Sequence, residues 1–161
     1  MMAVPRFSSL FLLVMLALAA PAAAQEVAEW ERSSAKKIDY ANMVTKKGEL
    51  FGFYCRELKN KFVGGLVMKM PLFTTMVRDE QTYSLNIVID GNRDSVTLKA
   101  KDIELWFEAV DLNQQLILAR LYESIKSSHR LQMGIASIGW RGSYDYDNAA
   151  EKLDGLMDKC L

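Results

Sequence analysis

The chain has 161 residues, half of them hydrophobic and a quarter charged, and its 20 basic and 20 acidic side chains balance to zero net charge. That balance, with Lys and Glu interspersed, gives no electrostatic case for nucleic acid or for a polybasic membrane-surface binder. Ordinary polarity and 10% aromatic content exclude a disordered chain.

Residues 1–24 read as a cleavable secretory signal. Arg6 precedes the apolar run Leu10-Phe11-Leu12-Leu13-Val14-Met15-Leu16-Ala17-Leu18, and Ala22-Ala23-Ala24-Gln25 supplies a small-residue cleavage site. A retained membrane anchor is the alternative, but the run falls short of the roughly 20 residues a span needs. No cysteine follows the cleavage site, which argues against a lipid-anchored form. Removal of the signal leaves residues 25–161 as a single globular domain with a net charge of −1, because Arg6 is its one charged residue. The expected location is the periplasm or the secreted space, with no stable membrane span after cleavage.

The middle of the mature chain alternates with period two, the pattern of half-buried strands. Phe51, Phe53 and Cys55 share one face of Glu49 to Arg56. Gly64-Gly65 reads as a bulge or turn, and Leu66, Met68 and Met70 as one face of a strand. Tyr83, Leu85, Ile87 and Ile89 alternate up to Asp90-Gly91-Asn92, a hairpin signal whose connection reads as longer than two residues. Val96, Leu98 and Ala100 alternate beyond it. Ile103, Leu105, Phe107 and Ala109 continue the pattern with Trp106 opposite, and Leu131, Met133 and Ile135 repeat it once more.

Two segments switch to helical spacing. Asp111 with Gln114 predicts a capping box, and Leu118, Leu121, Tyr122 and Ile125 share one helix face; the run Leu116-Ile117-Leu118 also suits a strand. Asn148 with Glu151 predicts a second box, opening a C-terminal helix whose apolar stripe is Ala149, Leu153, Leu156, Met157 and Cys160. Cys55 and Cys160 both point at the core, and in an exported chain an even count reads as a disulfide. Free thiols or an intermolecular bond are the alternatives. A bridge closing about a hundred residues is worth roughly 4–5 kcal/mol in chain-entropy terms. No C-x-x-C spacing suggests a redox role. The order of elements predicts an α+β domain. It would be a mainly antiparallel sheet or sandwich with two helices, the C-terminal one tied to the sheet by the disulfide.

Catalytic and metal signatures are sparse. His129 is the one histidine, in Ser127-Ser128-His129-Arg130, and reads as a helix-end residue because triad chemistry needs a base oriented by a third group. Asp145 and Asp147, beside Tyr144, Tyr146 and Trp140, resemble a glycosidase carboxylate pair, but acidic charge at the positive end of a helix is the preferred reading. Met68, Met70 and Met76 fit Cu(I) in type, yet core packing explains them without a ligand. No zinc, calcium or phosphate-loop spacing occurs. No catalytic residue, metal or cofactor is expected. The aromatics Trp106, Trp140, Tyr144 and Tyr146 are the expected interaction surface, Trp106 foremost, with Trp30 as core or exposed anchor.

Gly48-Glu49-Leu50-Phe51-Gly52-Phe53-Tyr54-Cys55, Ile89-Asp90-Gly91 and Leu153-Asp154-Gly155-Leu156-Met157-Asp158-Lys159-Cys160, after an early Trp30, give the chain a recognisable layout. It resembles the periplasmic accessory protein of type VI secretion and, more distantly, the invasion-associated locus B family of small exported bacterial envelope proteins. The resemblance implies a non-enzymatic accessory or interaction role, with an envelope or secretion-system protein as partner. A small apolar-ligand carrier, holding its ligand among Leu118, Tyr122 and the Phe51 face, is the second expectation. A glycan-acting enzyme using Asp145 or Asp147 is the third.

Overall fold

Among the described residues, alternating apolar side chains resolve into nine strands that curl until the first meets the last. The computed structural model describes residues 25–161, so the signal assigned to residues 1–24 lies outside the described residues. In chain order the elements are β1 (Gln25–Ala35), β2 (Ile38–Thr45), β3 (Leu50–Leu58), β4 (Lys61–Lys69), the short α1 (Phe73–Met76), β5 (Thr82–Ile89), β6 (Asn92–Lys101) and β7 (Glu104–Glu108). There follow α2 (Leu112–Lys126), β8 (Arg130–Ile135), a single 3-10 turn (Ala136–Ile138), β9 (Trp140–Asp145) and α3 (Ala149–Leu153). The strands form a closed barrel in the order β1-β2-β3-β4-β7-β6-β5-β8-β9. Every neighbouring pair is antiparallel except the seam, where β1 runs parallel to β9 from Gln25 beside Ser143 to Val27 beside Asp145. Beyond the last rung the Asn148 side chain continues the seam: its Oδ1 accepts from Trp30 N and its Nδ2 donates to Trp30 O, both at 2.9 Å.

The α+β class and the dominant antiparallel sheet agree with the sequence, and the sheet is neither an open layer nor a sandwich. Closure removes both edges, which an open sheet of this length would leave exposed to pairing with other chains. The strand faces fall as their alternation requires. Phe51, Phe53 and Cys55 point inward with Leu66, Met68, Leu85, Ile87, Leu98, Leu105 and Leu131. Ser84, Asn86, Thr97 and Lys99 point outward. An apolar inside and a polar outside is the reverse of what a membrane-spanning barrel requires. Among the described residues no helix is long and apolar enough to cross a membrane.

Each mouth has its own plug. At one, α1 brings the fully buried Phe73 edge-on to Trp140, ring centroids 6.2 Å apart. At the other, α2 crosses the opening with Leu118, Leu121, Tyr122 and Ile125 facing down, as its spacing predicts. The Asp111 capping box forms in full: Asp111 Oδ1 accepts from Gln114 N at 2.9 Å, and Gln114 Oε1 accepts from Asp111 N. Burying such side chains contributes about 1.5–3 kcal/mol each. The chain end lies beside α2, and Cys160 is disulfide-bonded to Cys55 on β3.

Three local expectations are corrected. The connection at Asp90-Gly91 is the minimal two-residue hairpin, Ile89 pairing with Asn92, because both turn residues adopt positive φ (49° and 82°). Gly64-Gly65 is neither bulge nor turn but continuous strand, paired with Cys55 and Tyr54. The C-terminal helix is short, and Leu156, Met157 and Cys160 reach the core from turns beyond it. Its predicted box does not form, since the Asn148 side chain is committed to the Trp30 backbone. The structure also has a third helix, α1, which carries no strong periodicity.

Candidate interaction site on the outer barrel wall

The outward faces of β2, β3, β4 and β7 depart from the polar rule. Tyr40, Tyr54, Val67 and Trp106 stand on this wall, and adjacent glycines on β4 explain how it is built. A Cβ at Gly65 would overlap the Tyr54 ring and the Phe107 carbonyl oxygen, so Tyr54 lies flat across bare backbone and donates its hydroxyl to Phe107 O at 3.3 Å. On the inner face, Gly64 makes the same room for the disulfide: its Cβ would sit 3.1 Å from Cys160 Cβ and 3.0 Å from Leu118 Cδ2. Tyr54 is thereby 99% buried although it points away from the core (1% exposed). Trp106, half-buried, packs edge-on against Tyr54 with centroids 5.3 Å apart, and Tyr40 lies tilted on its other side at 6.4 Å.

Charge frames the cluster. Arg56 pairs with Glu108 across β3 and β7, and its guanidinium carbon sits 6.0 Å from the Tyr54 centroid. Lys69 pairs with Glu104 at 3.2 Å on the lower flank. Burial, then the nearby Glu108 carboxylate, pushes the Tyr54 hydroxyl well above its ordinary range, so it stays a neutral donor. Burial also raises Tyr40. Two buried polar atoms on this wall, Asn42 Oδ1 and Arg56 Nε, have no hydrogen-bond partner among the described residues.

Of the four aromatics expected at an interaction surface, Trp106 alone belongs to an outer wall. Trp140, Tyr144 and Tyr146 are core residues, 6%, 1% and 2% exposed. Their positions on β9 and beyond it face inward, where Tyr146 meets Trp30 edge-on at 5.9 Å. Trp30 is likewise interior, stacked on Phe53. Tyr144 reaches across the barrel to donate to Glu49 Oε2 at 3.1 Å. Burial raises the Glu49 carboxyl above its ordinary range, and burial lifts Tyr146 to about 12. Tyr40 and Tyr54 were missed from sequence. The available signal was an aromatic on the non-core face of β3, opposite a glycine.

The residues weighed for catalysis do meet. An open depression of about 700 Å³ gathers Ser128, His129, Asp145 and Asp147 with Asp90 and Arg130. Its chemistry is that of a solvated loop. His129 Nδ1 is 3.9 Å from Asp147 Oδ1, the histidine largely and the aspartate fully exposed to solvent. Ser128 is turned into its own loop, donating to Arg130 O at 3.0 Å. The hydrogen bond from Arg130 holds Asp145 below the usual carboxylate range, the opposite of what a general acid needs. Met68 and Met70 are core, Met76 is exposed, and no group of three metal-ligating side chains occurs among the described residues. The space between sheet and α2 that a carrier would use is filled: Phe53 meets Tyr122 edge-on at 5.3 Å, and the Tyr122 hydroxyl bonds Leu153 O. Compared with protein-family models, with curated proteins and with solved structures, the chain matches none.

Proposed function

We propose that this is a non-enzymatic envelope interaction protein of the periplasm or secreted space, which engages a partner protein through the Tyr40–Tyr54–Trp106 wall. The observation that carries the reading is the half-buried Trp106, seated against Tyr54 on the outside of a barrel whose interior is already packed. Aromatic and arginine side chains are the anchors that protein interfaces favour, and Arg56 stands beside the rings. The Cys55–Cys160 bridge suits an oxidising compartment. The resemblance to the type VI secretion accessory protein supports an envelope partner. The filled space around Leu118 and Tyr122 favours this reading over the apolar-ligand carrier.

The test is photocrosslinking in intact cells from a benzophenone residue at position 106, with position 86 on the opposite wall as control. A discrete adduct from position 106 that is absent from position 86 is the expected result. Equal labelling from both positions, or none from 106, overturns the reading.

A further inference from the structure

The plugged mouth at α2 exposes more apolar surface than the fold requires. Leu112 and Leu116, one turn apart, are 70% and 61% exposed on the face of α2 opposite its buried stripe. Val110, just before the helix, is also exposed, as are Leu58 and Phe62 on the β3–β4 hairpin. These belong to one quadrant: Ala109 N donates to Gly64 O at 2.9 Å, which sets Val110 and the start of α2 beside the first residues of β4, Phe62 among them. Exposed apolar side chains gathered at one mouth are the kind of surface that marks an interaction site.

Lysines ring it. Lys59 and Lys61 flank the hairpin tip, Lys159 Nζ lies 5.4 Å from the Phe62 centroid, and Lys36 tips the neighbouring β1–β2 hairpin. All four are exposed, and none has an ion-pair partner among the described residues. Of the acidic neighbours, Glu57 pairs with Lys37, Asp154 with Lys126 and Asp111 caps the helix, while Asp158, Asp39 and, farther along α2, Glu123 have no ion-pair partner among the described residues. Lys36 and Lys59 also hold left-handed backbone, φ 49° and 45°. Glycine or asparagine adopts that conformation with less strain, so the folding of these tips does not account for lysine there.

We propose that this end of the barrel docks on an anionic lipid surface, with Phe62, Leu112 and Leu116 dipping into the headgroup boundary and the four lysines meeting the lipid charge. Apolar contact and a basic ring are the two signals that reversible membrane attachment combines. The whole-chain charge balance does not report the site, because it averages these four lysines with charges elsewhere on the barrel. The attachment does not involve Trp106, which stands lower on the wall.

Flotation tests it, using protein recovered from a bacterial periplasm and two kinds of vesicle: phosphatidylcholine alone, and phosphatidylcholine with a third replaced by phosphatidylglycerol. Binding to the anionic vesicles that weakens with salt is expected. Each of Lys59→Gln, Lys61→Gln and Lys159→Gln should weaken it about fivefold. The pair Leu112→Ser with Leu116→Ser should abolish it at unchanged melting temperature, whereas Trp106→Ala should leave it intact. No binding to anionic vesicles, or equal binding to both kinds, overturns the proposal. So does a dimer in light scattering that the serine pair dissolves, which would assign the apolar tips to a second copy of the chain.

Discussion

The two outer walls of the barrel obey the same alternation and come out differently. On β5, β8 and β9 the outward positions include Ser84, Asn86, Gln132, Arg141 and Ser143, with Val88 the apolar exception, and most of them line an open groove of about 780 Å³. On β2, β3, β4 and β7 they include Tyr40, Tyr54, Val67 and Trp106. Alternation decides only which side chains face the core. What the other face carries is set by something besides folding, so the wall that departs from Ser, Asn and Gln is where function is best sought. The aromatic wall is also the one gripped on both sides, by Tyr54 over Gly65 outside and by Cys160 against Gly64 inside.

Removing the inner grip should have the largest effect. Cys160→Ser is expected to lower stability by about 2–5 kcal/mol, read as a fall in melting temperature under oxidising conditions. Unchanged melting would mean that the bridge adds nothing to this wall. Next in size, Gly65→Ala forces a Cβ into Tyr54 and the Phe107 carbonyl and should cost about 1–3 kcal/mol. Its counterpart Gly134→Ala, on the polar wall, makes a tight contact of 3.3 Å with Trp140 O rather than an overlap and should cost less, about 1 kcal/mol or under. Equal losses in chemical denaturation would erase the distinction between the walls. The smallest effect falls where they touch through the interior, at Tyr144 and Glu49. Burial raises the folded Glu49 pKa, so that carboxyl contributes most when protonated and loses its contribution as pH rises through the folded value. Glu49→Gln still accepts from Tyr144 and should gain on the native protein between acid and neutral pH. A gain that shrinks toward neutrality in paired melts would refute that sign.

Much of the inner face was legible and little of the closure. The stripes of β3, β5, β6, β7 and β8 and the capped α2 follow from period and capping chemistry alone. β1 was missed because Gln25-Glu26-Val27-Ala28-Glu29-Trp30 puts a glutamate and a small alanine on its inward face, which blurs the alternation. β9 was hidden by Arg141-Gly142-Ser143, where the inward position is the glycine that Tyr144 covers. A parallel seam between the first and last strands has no local signature at all, so sheet, sandwich and barrel look alike in the sequence. For the site, Trp106 was marked by its face, whereas Trp140, Tyr144 and Tyr146 drew attention by density and turned out to be packing. Tyr54 needed knowledge of which residue lies opposite it.

The parallel seam also orders events in time. Its rungs and the Asn148 clasp join residues about 118 positions apart, so β1 waits for its neighbour until nearly the whole chain has been made. Contacts that distant slow folding. Until β9 arrives, β1 and β8 are bare edges, and the nascent protein is an open ribbon with two unpaired strands.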